Sequence, residues 1–129
     1  MHPSDALIGI GYHMPDGKRG FTYKVNKFNS FFFQKKSKYP LILGRIMFNW
    51  DGAYPKSEEL GQSLSVLTLA GMLHFSFATP NYYQFDPAVK VSYETRISKR
   101  MSHEQKKDLE KIARKFEAEF GVKEKFRLD

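Results

Sequence analysis

The sequence predicts an α+β fold: a single α+β domain over residues 1–129, with a mostly antiparallel sheet and two helices packed on one side. Three observations point to it. Residues 102–120 carry an apolar stripe of helical period behind a capping signal, and residues 88–98 alternate apolar and polar like a half-buried strand. Pro-Asp-Gly at 15–17 separates two apolar stretches, as a hairpin turn does.

Residues 6–13, ALIGIGYH, are apolar with glycines at 9 and 11, which predicts a strand lying close to other backbone. The Pro-Asp-Gly turn follows, and Phe21, Tyr23 and Val25 then alternate with Thr22 and Lys24. A first hairpin with its tip at Asp16 to Gly20 is the expectation. If the triple Phe31-Phe32-Phe33 is extended, Phe31 and Phe33 point to one face and Phe32 to the other, which makes at least one ring a candidate for exposure. Residues 39–50 read as a largely buried strand ending in a turn at Asp51-Gly52.

Ser57 is a natural N-cap, and Glu58 and Glu59 fall in the first turn that follows, where the helix dipole favours them. A buried helix over 60–73 is the expectation, with paired strands at 63–69 and 72–77 as the alternative, because the run is apolar on all sides. In 88–98, Val89, Val91, Tyr93, Thr95 and Ile97 face one way as a strand with one dry side. The last helix opens with the capping box Ser102–Gln105 and buries Leu109, Ile112, Ala113, Phe116 and Phe120. Glu110–Arg114 and Lys115–Glu119 are expected i,i+4 pairs on its wet side, and Gly121 is the expected stop. Residues 122–128 are the candidate for a short closing edge strand, with charges that guard against edge-to-edge pairing.

Composition narrows the chemistry. With no cysteine, disulfide frameworks, zinc–thiolate sites and thiol nucleophiles are excluded together. The N-terminal residues do not have the pattern of a secretion signal, so the cytoplasm is the default compartment. The uncharged run from Leu60 to Phe85 is broken by too many polar residues to span a bilayer. Charge is uneven: residues 1–56 hold nine Lys/Arg against three Asp, whereas residues 57–129 hold twelve against eleven acidic residues. The positive field therefore belongs to the first half and points to an anionic partner.

Within 17–39 seven cations and seven aromatic rings interleave without one carboxylate. Arg19-Gly20-Phe21-Thr22-Tyr23 resembles, over five residues, the opening of the signature strand of the RNA-recognition motif. Thr22 stands where that motif has glycine or alanine, and Lys24 where it has valine. Its place after a turn near the N-terminus also differs from the family's order, so membership is not inferred. What carries over is the physical logic: rings on a strand face stack on bases while neighbouring cations neutralise phosphates.

Other chemistry finds little support. His74 lies in a His-x-Ser pattern that the two-histidine phosphoesterases carry twice, but here it occurs once. His13 with Asp16 reads as loop polarity. Asp51, Glu58, Glu59, Asp86 and Glu94 show no metal-binding spacing, and no cofactor motif is present.

The leading expectation is a small non-enzymatic protein that binds single-stranded DNA or RNA through residues 17–45. Lys18, Arg19, Lys24, Lys27, Lys35, Lys36, Lys38 and Arg45 would meet phosphate, and Phe21, Tyr23 and Phe32 would stack on bases. The alternatives are a protein-interaction module that docks on an acidic protein or on a second copy of itself, and a small nuclease or phosphoesterase. No membrane partner is expected.

Overall fold

The computed structural model describes residues 1–50, 52–77, 81–126 and 128. Helices α1 (Pro3–His13), α2 (Val25–Lys36), α3 (Pro40–Leu43), α4 (Glu58–Leu69), α5 (Ala88–Ser92) and α6 (His103–Phe120) surround a sheet of β1 (Gly20–Thr22), β2 (Leu73–Ser76), β3 (Tyr82–Phe85) and β4 (Gly121–Val122). The strand order is β2-β3-β1-β4, and every neighbour pairs antiparallel. The α+β expectation holds; the helices are more numerous than the two expected.

The N-terminal apolar run is a helix and not a strand. His2 caps it by accepting the Ser4 N–H, Pro3 occupies the first turn, and Asp5 faces the N-terminal dipole. Ala6 through Gly11 are all buried, because α4, α5 and α6 pack around α1. Its glycines act through space: a Cβ on Gly9 would lie 2.3 Å from Leu109 Cδ2, and one on Gly11 2.5 Å from the Phe85 ring. The close approach predicted for them is real, but it is to side chains.

The Pro-Asp-Gly turn forms, with the Lys18 N–H donating to the Pro15 carbonyl at 3.0 Å and Gly17 at φ +84°. It joins α1 to β1, so no hairpin is made there. Residues 25–36 are helical, and Phe28, Phe31 and Phe32 face the core at i, i+3, i+4. Residues 39–50 supply α3 and a loop with one bridge, Asn49 to Lys56, in place of the expected strand. The turn expected at Asp51 falls outside the described residues. Ser57 caps α4 by accepting the Leu60 N–H, as expected, while 73–76 pairs as β2.

The expected strand at 88–98 is helical: α5 passes into a π turn at Tyr93–Ile97 and a 3₁₀ turn at Ser98–Arg100. Val89, Tyr93 and Ile97 are buried, whereas Val91 is 63% exposed. Periods of two and four coincide at 89, 93 and 97, and only the intervening positions separate them. Thr95 and Ser98 hydroxyls bond the carbonyls of Val91 and Glu94 four residues back.

α6 matches expectation in both its capping box and its apolar stripe. It ends at Phe120, and Gly121 leaves at φ −63° straight into β4 with no left-handed cap. One face of the sheet presents the row Phe75, Tyr83, Phe21 to the helices, where Phe21 meets Phe116 edge-on at 5.1 Å. Residues 123–126 cross the opposite face, tied to Tyr82 and Gln84.

His13 ends α1 half-buried, edge-on to Tyr93 at 5.5 Å, and its Nε2 has no partner among the described residues. Burial lowers its pKa below the ordinary value of 6.5, opposed by Glu110 and assisted by Arg114. The unfolded chain then takes up this proton more readily than the folded one. His13 should therefore cost stability as pH falls below about 6.5, and the loss should level off below its folded pKa. An NMR titration of the His13 ring should show a midpoint under 6.5. A midpoint at or above that value contradicts the account.

Candidate nucleic-acid interface

Most of the rings in the basic segment belong to the core. Phe21, Phe28, Phe31, Phe32 and Tyr39 are at most 4% exposed. Phe21 and Phe32 are therefore unavailable for stacking, because each is covered by the aromatic cluster around Phe116. Tyr23 is half-buried, edge-on to Phe28 and Tyr83 at 5.3 and 5.2 Å, and burial pushes its pKa up to about 12. The segment's exposed ring is Phe33, on the outer side of α2.

Phe33 does not stand alone. Phe48 and Trp50 meet it edge-on at 5.3 and 5.5 Å, and Trp50 is 62% exposed. These rings form a shelf along one flank of α2 that the sequence did not single out, since Trp50 reaches it from a loop.

The cations sort into two kinds. Arg19 is buried: its Nε donates to the Gly11 carbonyl at 3.0 Å and its guanidinium pairs with Asp16. It caps the C-terminal end of α1 and cannot serve as a surface contact. Lys36 donates to the Ile46 carbonyl at 2.7 Å and lies over Phe48, pinning the 46–48 loop to α2. Lys18, Lys24, Lys27, Lys38 and Arg45 are exposed, and Lys35 is half-buried over the Phe31 ring at 5.4 Å. Among the described residues, none of Lys24, Lys27, Lys35, Lys38 and Arg45 is in an ion pair.

Two hollows gather part of this set. A groove of about 490 Å³ is lined by Lys24, Lys27, Ser30 and Gln34 of the α2 region, with Tyr54 and Glu119 opposite. A second hollow of about 530 Å³ holds Lys38 and Tyr39 against Asp108, Lys111, Arg114 and Lys115 of α6. Phe31 packs on Phe120, and Lys115 lies over Tyr39, so α2 ascends as α6 descends and the hollows follow one another. From Lys27 to Lys38 the rise is about 16 Å at helical spacing. Lys18 and Arg45 line neither hollow. The expected Lys115–Glu119 pair is replaced by Lys115 over Tyr39 at 5.1 Å. The α6 cations were missed because Lys111 and Lys115 read as a solvated flank until the fold set Lys38 beside them.

His74 Nε2 lies 2.8 Å from Asp86 Oδ1, and the second Asp86 oxygen accepts the Ala88 N–H at 2.8 Å. The pair ties the β2–β3 ladder to the start of α5. The remaining sequence carboxylates are spread out: Glu59 accepts the Met47 N–H and Glu94 the Tyr12 hydroxyl. Asp51 lies outside the described residues, and among those described no cluster of three metal-ligating side chains forms. No helix among them is long and apolar enough to cross a membrane.

Comparison with protein-family models, curated proteins and solved structures finds no match for this chain.

Proposed function

We propose that the protein binds single-stranded nucleic acid along α2. The backbone runs over Lys24 and Lys27 toward Lys38, and bases rest on Phe33 and Trp50. One observation carries this: lysines in no ion pair among the described residues and exposed flat rings occupy neighbouring sides of the same helix. Stacking on an aromatic is worth about 1–3 kcal/mol per base, and single strands offer the unstacked faces it requires. Ser30 and Gln34, between the lysines, supply neutral hydrogen bonds to sugar or phosphate.

Trp50 is the only tryptophan, so its fluorescence reports on the shelf directly. A single-stranded oligonucleotide should quench it, with affinity falling steeply between about 50 and 200 mM salt. Replacing Lys24 and Lys27 with Gln should weaken binding and flatten the salt slope by about 1.4, at 0.7 per contact. Trp50→Ala should lose about five- to 150-fold, as expected for one base stack. Absence of binding at the lower salt, or binding that these substitutions leave intact, overturns the proposal.

A second reading, a protein-docking surface, rests on Val66, Leu69 and Phe77, which are 55%, 89% and 87% exposed. Val66 and Leu69 belong to α4 and Phe77 directly follows β2, and none of them lines the groove beside α2.

A further inference from the structure

The hollow between Tyr39 and α6 has a property that a general backbone contact does not require. Tyr39 is 4% exposed, fixed where α2 turns into α3. Two ammonium groups from different elements converge on its ring: Lys38 Nζ is 5.6 Å and Lys115 Nζ 5.1 Å from the centroid. Lys111 lies one turn before Lys115 on the same side of α6, a like-charge i,i+4 pair that works against the helix. Arg114 adds a fourth cation but is held by Glu110. Against Lys38, Lys111 and Lys115 stands only Asp108 among the described lining residues, which leaves an excess of two positive charges among them.

The two cation–π contacts hold Lys38 and Lys115 over the ring but leave the positive charge of the hollow in place. Contact between Lys38 and Lys115 lowers the pKa of the first and raises that of the second, and hydrogen bonding from Lys115 lowers that of Tyr39. A ligand carrying two negative charges on adjacent oxygens removes the repulsion and accepts from the ammonium groups at once.

We propose that this hollow is a phosphomonoester site, taking a dianionic phosphate between Lys38, Lys115 and Lys111 above Tyr39. On the nucleic-acid reading given above, on which this source rests, the phosphate is the terminal one of the bound strand. An internal phosphodiester carries a single charge and satisfies the cluster only in part. Among the described residues, the groups facing the phosphate are the four cations, Asp108 and Tyr39, with Glu110 behind Arg114, and none is a histidine. Between pH 5 and 7.5 the phosphate itself is therefore the group expected to titrate, with a second pKa of about 6.

The test compares one oligonucleotide with and without a 5′- or 3′-terminal phosphate. The phosphorylated form should bind about tenfold tighter at pH 7.5, the scale of one charge-assisted contact, and the advantage should shrink toward pH 5. The double substitution Lys38→Gln, Lys115→Gln should abolish the advantage, with circular dichroism confirming the fold. Equal binding of both forms at pH 7.5 overturns the proposal. If neither oligonucleotide binds, the nucleic-acid reading fails, and inorganic phosphate followed by NMR decides the site. Saturable shifts at Tyr39 and Lys115 that vanish in the double variant uphold a phosphate site with another source; no shifts overturn it.

Discussion

Phe116→Ala should cost about 3–5 kcal/mol, a large fraction of the roughly 5–15 kcal/mol that holds a domain together. Phe116 is fully buried at the point where α6, α2 and the sheet meet. Its ring lies 5.1 Å from Phe21, 5.6 Å from Phe31, 5.0 Å from Phe120, and 6.1 Å from both Phe28 and Phe32. Truncation removes the shared partner of five rings, and such a cavity closes poorly because its walls come from three elements. Urea denaturation followed by circular dichroism should show the loss, and Phe116→Leu should recover more than half of it. A loss under about 1 kcal/mol would mean that the cluster repacks freely, contrary to this account. The proposed binding face depends on the same junction, because Phe116 holds α2 against α6 and so keeps the two hollows in line. Oligonucleotide affinity should therefore fall in Phe116→Ala at temperatures where the variant is partly unfolded, and be normal where it is folded.

Much of this architecture was legible where local signals agreed with tertiary demand. The capping box of α6, its apolar stripe and the Ser57 cap of α4 are such places, since one side of each element meets water and periodicity can speak. It was illegible where an element is enclosed. α1 is buried nearly all round, so its apolar run carried no period; its real signature was the start signal in His2-Pro3-Ser4-Asp5. The 88–98 segment misled because alternate and every-fourth positions share Val89, Tyr93 and Ile97. The site divided in the same way. That lysines crowd α2 could be read directly, but which rings remain outside could not, because Phe31, Phe32 and Phe33 differ only in the angle at which a helix presents them. Arg19 was expected at the surface, yet the open carbonyl end of α1 claims it. Tyr39, Trp50 and Lys115 entered the site only through contacts between elements distant in sequence.

Gln84→Leu should cost about 2–3 kcal/mol, and should do so locally, by releasing residues 123–126 from the sheet. β4 ends at Val122, where backbone pairing with β1 stops. Beyond it the Gln84 side chain takes over the role of a strand. Its Oε1 accepts from the Lys125 and Phe126 N–H groups at 3.0 Å each, and its Nε2 donates to the Phe126 carbonyl at 3.1 Å. Gln84 is fully buried, so leucine there fits by size but takes away the Gln84 partner of the Phe126 N–H and carbonyl and of the Tyr82 hydroxyl, while the Lys125 N–H keeps the Tyr82 oxygen at 3.0 Å. The cheapest response is for the tail to lift and hydrate, which also separates Phe126 from the Tyr82 ring at 5.4 Å and Lys125 from the same ring at 4.8 Å. Amide hydrogen exchange separates this from a general loss of packing. In Gln84→Leu the Lys125 and Phe126 amides should exchange much faster, while those in α1 and α6 slow or quicken only with global stability. Unchanged protection at Lys125 and Phe126 would show that the tail is held by its rings, the Tyr82 hydroxyl and the contacts of Glu124 with Gly17 and Arg19, and not by Gln84. Gln84→Glu adds a sign to the test: its carboxylate still accepts from both N–H groups but faces the Phe126 carbonyl with no donor. Its cost should fall as pH drops and the carboxyl regains a proton to donate.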